Sequence, residues 1–160
     1  MTPAAFPYAR GVAPLLWAFV ALAGTEMLVV HLLVAVLLSK VVALALTLAS
    51  LATIAWMVLL IRSFGRLPVI VGDETLVMRT GFLLRIDVPR ASVAALRGSF
   101  TRAELKQAGV LNLALLAFPN VLIELAAPVP HGRRKRPVRA IAHRLDDPQG
   151  FRSALAPPLA

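Results

Sequence analysis

The segment GTEMLVVH, residues 24–31, sets a carboxylate and an imidazole five positions apart inside a long apolar run. A carboxyl group in such surroundings has three uses. It can hydrogen-bond a partner helix, it can relay a proton or ion, or it can be carried as a tolerated residue. Five residues rotate a helix by roughly 140° beyond a full turn, so Glu26 and His31 need not contact each other within one helix. Hydroxyls that suit them lie downstream, at Thr47, Ser50 and Thr53.

The elements that position these groups follow from charge spacing. From Pro14 to Leu38 run 25 residues with only Glu26 and His31 ionisable, and Val41 to Ile61 gives 21 residues without charge. Each is long enough to cross a hydrocarbon core of about 30 Å. The pattern predicts a transmembrane hairpin over 14–62, with helices 14–38 and 41–61 folded about Ser39-Lys40, after a leader of residues 1–13. Ala21-Leu22-Ala23 has the look of a signal-cleavage site, but the unbroken run to Leu38 argues against cleavage. Folding the hairpin at Ser39-Lys40 sets Glu26 level with Thr53 and His31 level with Thr47 to Ser50. Glu26 is the thirteenth of its 25 residues, near the midplane, where a charge costs about 2.5–3.5 kcal/mol on insertion scales. The fourteen Leu, Val and Phe residues of the span return about 0.3–0.6 kcal/mol each, so insertion survives. Interhelical polar contact or partner docking is the first reading of Glu26 and His31. A proton pathway is the second.

Composition sets the outer bounds. The chain has 160 residues, 59% of them hydrophobic, a net charge of +9 and no cysteine. Disulfides, thiol catalysis and cysteine-based metal sites are excluded. Thirteen of the seventeen Lys and Arg residues and seven of the eight acids follow Leu67, marking a moderately basic soluble segment. Arg10, Arg62 and Arg66 flank the outer ends of the hairpin against Lys40 at its turn. The positive-inside bias therefore predicts a cytoplasmic N-terminus and a cytoplasmic C-terminal domain.

After Arg66 the hydrophobic period becomes strand-like. Strands are predicted at 67–71, 75–80, 82–88, 92–96, 111–118, 121–127 and 138–145. In 82–88 the residues Phe82, Leu84, Ile86 and Val88 form the buried face. Thr101 and Glu104 have capping-box spacing for a short helix. Asp146-Asp147-Pro148 starts a last helix with Phe151 and Leu155 on its apolar face.

These stretches carry a resemblance: PVIVGDETLVMRTGFLLRIDVPRASVAAL, FPNVLIELAAPV and VRAIAHRLDDPQGF. Their order over residues 67–156 resembles the pleckstrin-homology-like (PH-like) fold, and, with the hairpin ahead of it, bacterial membrane-anchored PH-like domain proteins. The resemblance implies an α+β membrane protein: a transmembrane hairpin, then an antiparallel sandwich or barrel of about seven strands closed by a C-terminal helix. It implies location in a bacterial inner membrane. Phosphoinositide-binding PH domains use basic residues around their first strand–strand loop. Here that loop is Gly72-Asp73-Glu74, which is acidic, so no inositide site carries over.

A second candidate site is the basic run Arg133, Arg134, Lys135 and Arg136, able to touch anionic lipid or a partner or to stand as a solvated hairpin tip. Nucleic-acid binding is disfavoured, since no recognition helix appears and the aromatics do not interleave with the basic residues. His131 and His143 lack a second ligand at metal spacing. No catalytic or cofactor motif is present, so neither a metal, a cofactor nor an enzymatic activity is expected. A hairpin with a mid-membrane carboxylate also resembles the rotor subunit of rotary ATPases, but the large β segment and the missing glycine-rich packing pattern argue against it. The expected function is a membrane-anchored scaffold acting through a membrane-protein partner or a homo-oligomer, with lipid sensing by the basic run and proton-linked transport as alternatives.

Overall fold

Two uninterrupted apolar runs with no strong breaker between them must change direction at a polar residue, and Ser39 is that residue. The computed structural model describes residues 3–132 and 134–155. It has helix α1 at Ala13–Leu37 and helix α2 at Lys40–Arg66. The N–H groups of Leu38 and Ser39 both donate to the Val34 carbonyl, which closes α1. The Ser39 hydroxyl then accepts from Val41 N–H at 3.2 Å and caps the start of α2. Both helices are long and apolar enough to cross a membrane. The second runs through Arg62 to Arg66, past the predicted end at Ile61.

The chain divides into two compact units, the helix pair Ala13–Ser63 and a β unit made of the chain up to Val12 and from Phe64 onward. The β unit is α+β with two four-stranded sheets. The first orders β1 (Ala4–Phe6), β2 (Val69–Val71), β3 (Thr75–Thr80) and β4 (Leu84–Pro89), all antiparallel. In the second, β5 (Val93–Arg97), β7 (Val121–His131), β8 (Arg136–His143) and β6 (Val110–Asn112) lie side by side in that order. Helix α3 (Arg102–Leu105) is one turn, and α4 (Pro148–Leu155) ends the described chain. Thr101 and Glu104 form the predicted capping box. Asp147 Oδ1 accepts from Gly150 N–H at 2.9 Å, capping α4.

Four expectations need correction. The strand count rises from about seven to eight, because leader residues 4–6 form β1 and pair with β2. The sandwich is not wholly antiparallel, because β6 pairs with β8 in parallel. The strand predicted over 111–118 stops at Asn112, whose Oδ1 accepts from Ala114 N–H at 2.9 Å and turns the chain out of the sheet. The strand predicted from Phe82 begins at Leu84, because Thr80 pairs with Leu84 and leaves Gly81 to Leu83 as a turn. Gly81 has φ 52° there, a left-handed conformation that favours glycine. Phe82 and Leu84 are consequently exposed, not core.

The core of the β unit sits between the sheets. Val69, Leu76, Met78 and Val88 from the first sheet and Val121, Ile123 and Ile141 from the second are all buried, as are Leu145 and Phe151. Phe151 closes this core edge-on to Phe6, ring centroids 5.3 Å apart.

Candidate functional site

In the helix pair, hydroxyl groups are made tolerable locally. Thr25, Thr47 and Thr53 each donate to the carbonyl four residues earlier, at 3.1, 2.8 and 3.0 Å. This leaves their oxygen lone pairs as acceptors facing outward from the helix. His31 uses one of them, with Nδ1 2.6 Å from Thr47 Oγ1. The Thr47 proton is already committed to Ala43, so the imidazole donates from Nδ1.

Glu26 has a different setting. It lines an open groove of about 340 Å³ between α1 and α2 with Ala23, Ala49, Ser50 and Thr53. Among the described residues it makes no side-chain hydrogen bond or ion pair, and it is exposed. The five polar candidates of the helix pair therefore form two groups, His31 with Thr47 and Glu26 with Ser50 and Thr53. Ala23, Ala49 and Ser50 line the Glu26 groove alongside the larger Met27, Val30, Leu46 and Ile54.

The basic run caps the β7–β8 hairpin, where His131 pairs with Arg136. Lys135 adopts φ 45° and donates its N–H to Gly132 O at 3.1 Å. Arg134, Lys135 and Arg136 are exposed. Arg133 lies outside the described residues. Beneath the tip, a groove of about 450 Å³ has an apolar floor including Leu84, Val110 and Val138 and a basic rim of Arg134 and Arg136.

A buried polar node in the β unit has no counterpart among the sequence candidates. Tyr8 Oη donates to Leu67 O at 3.0 Å and accepts from Gly81 N–H at 2.6 Å. Burial raises the Tyr8 pKa, opposed by the Gly81 hydrogen bond, so the phenol stays protonated and remains a donor. Its ring lies 4.9 Å from that of His143. His143 Nε2 lies 2.7 Å from Arg79 O and Nδ1 lies 3.1 Å from Arg144 O. Burial pushes the His143 pKa down, against both carbonyl contacts. The neutral ring has one N–H, and the shorter contact assigns it to Nε2. Thr80 completes the node by donating to Leu113 O at 2.8 Å. The sequence signal was slight: Phe6 and Tyr8 alternate within the leader, as in a strand.

Among the described residues no group of three or more His, Asp or Glu side chains is placed to hold a metal ion. No family model, curated protein or solved structure matches this chain.

Proposed function

We propose that the protein is a membrane-anchored adaptor. In this reading α1 and α2 cross a bacterial inner membrane, the β unit is a PH-like domain on the cytoplasmic face, and the Glu26 groove receives a helix of a membrane-protein partner. The single observation that carries the proposal is Glu26 itself: a carboxyl exposed in a groove lined by Ala23, Ala49 and Ser50. At mid-membrane depth such a group has no water to satisfy it, so a third helix bearing a donor is the arrangement that does. The basic residues Arg10, Arg62 and Arg66 against Lys40 support the cytoplasmic orientation. Two packed sheets followed by a closing helix support the PH-like assignment, from which the β6–β8 parallel pair and the leader strand depart.

The test is purification of the full chain in mild detergent. The expected result is a specific co-purifying membrane protein that is lost with Glu26→Leu and kept with Glu26→Gln, which still offers a hydrogen-bonding amide. Recovery of the wild type alone and monomeric would overturn the adaptor reading.

A further inference from the structure

The second sheet of the β unit has a missing corner. Strand β6 begins at Val110, opposite Ala140 of β8, whereas β8 begins at Arg136. Residues 136–139 therefore run about 13 Å past the start of β6, and β6 is the last strand of that sheet. The chain ahead of β6 does not fill the space. Gly109, at φ 89°, accepts Arg139 N–H on its carbonyl at 2.7 Å, and Val110 N–H turns back to Gln107 O at 3.2 Å. The groove of about 450 Å³ beneath the hairpin tip occupies this corner.

Its lining is chemically divided. Leu84 from the first sheet and Val110, Leu111 and Val138 from the second make an apolar floor. Arg134 and Arg136 stand exposed at the rim, and no acidic residue is among the described residues that line the groove. Neither arginine has a side-chain hydrogen bond or ion pair among the described residues. The acids of the β unit are engaged elsewhere. Asp87 pairs with Arg85, and Glu104 and Glu124 both hold Arg97. Asp146 accepts from Arg10 N–H, and Asp147 caps α4. Asp73 and Glu74 lie in the turn between β2 and β3.

We infer that this corner binds an extended acidic segment of another protein, its apolar side chains on the floor and its carboxylates on Arg134 and Arg136. The surface belongs to the β unit alone and does not depend on the Glu26 groove. Charge complementarity selects the occupant: two unpaired guanidiniums above an apolar floor match carboxylates that alternate with apolar residues. Alternate residues of an extended chain point to opposite sides, so one side meets the floor and the other the rim. The corner is open and one strand wide, which suits a chain that runs through it. Ladder hydrogen bonds contribute little, because Pro137, which lines the groove, has no N–H to donate. Recognition falls on the side chains.

The probe is a short fluorescein-labelled peptide alternating Glu and Leu, added to the full chain in nanodiscs of neutral lipid and followed by fluorescence anisotropy. Saturable binding is expected. Arg134→Glu combined with Arg136→Glu should weaken it by at least about tenfold. Leu84→Asp, at a position already 37% exposed, should weaken it several-fold. Two altered peptides repeat the test on the unaltered protein: Gln in place of Glu, and Ser in place of Leu, should each bind several-fold more weakly. Absence of binding overturns the inference, as does binding that charge reversal leaves unchanged. Equal binding of the Glu-Ser peptide would reduce the site to bare charge attraction and also overturns it. Self-association of the wild type that the double arginine variant abolishes would give the corner to a second copy of this chain, against the inference. Slower amide exchange at residues 134–136 on changing to anionic lipid, with none on adding peptide, would give it to the bilayer, again against it.

Discussion

In α1 and α2 the hydroxyls of Thr25, Thr47 and Thr53 are satisfied four residues back along their own helix. In the β unit, Tyr8 reaches 73 residues along the chain to Gly81, and the Arg10 N–H reaches 136 residues to Asp146. The helix pair can therefore lose a surface side chain without disturbing its backbone. The β unit depends on contacts between segments that approach each other only when it is folded. Each region is fragile in its own place: the helix pair at the His31–Thr47 contact between its helices, the β unit at its closures.

The sharpest test of this contrast pairs two large apolar residues. Phe151 is fully buried and closes the core on Phe6, so Phe151→Ala should cost the β unit about 3–5 kcal/mol. Leu48 on α2 is exposed, and Leu48→Ala should leave β-unit unfolding unchanged. Denaturant melts of the full chain, followed by β-sheet circular dichroism, read both. Equal losses would dissolve the contrast.

Next in size is Tyr8→Phe. It keeps the ring against Phe64 and His143 but strands Gly81 N–H and Leu67 O. A buried group left unpaired costs about 1–3 kcal/mol, and hydrogen exchange at the Gly81 amide should accelerate with it. Slow exchange at Gly81 in the variant would show that Tyr8 is not its partner.

A pH titration sharpens the same node. Burial holds the folded-state pKa of His143 below its ordinary value, which is about 6.5. The unfolded chain therefore takes up the proton first as pH falls. Stability that is full above about pH 6.5 is lost as pH drops through the folded value. His143→Gln should flatten this dependence, and an unchanged slope would assign it to other groups.

The helices and the β unit were unequally legible in the sequence for the same reason. The extent of α1, the turn at Ser39 and the two caps at Thr101 and Asp147 depend on residues within four positions of each other. Charge spacing and capping chemistry suffice for those. β1 was missed because three residues, Ala4 to Phe6, carry no alternation long enough to read, and their partner strand is 65 residues away. The loop at 113–118 was read as strand because Leu115, Leu116 and Phe118 look like core. The Asn112 side chain, bonded to Ala114 N–H, and the Ala117 N–H, bonded to the Ala114 carbonyl, turn the chain out of the sheet there. Of the candidate site, the matching depths of His31 with Thr47 and Glu26 with Thr53 followed from helical rise. The groove beside Glu26 did not, since it depends on which helix faces meet.

The smallest expected effect lies in the helix pair, at Thr47→Val. Valine has the shape of threonine and removes only the oxygen that accepts from His31 Nδ1–H. The Ala43 carbonyl, which also loses its Thr47 donor, keeps its place in the helix backbone. Polar contacts between membrane helices average about 0.6 kcal/mol in such exchanges, because the imidazole finds substitute acceptors. The loss should therefore fall below that of Tyr8→Phe when both are measured on the full chain in one detergent. Nitrogen-15 shifts of the His31 ring provide the control: the Nδ1–H tautomer should dominate in the wild type and weaken in the variant. A Thr47→Val cost equal to that of Tyr8→Phe would mean that the helix pair stakes as much on one long-range contact as the β unit does.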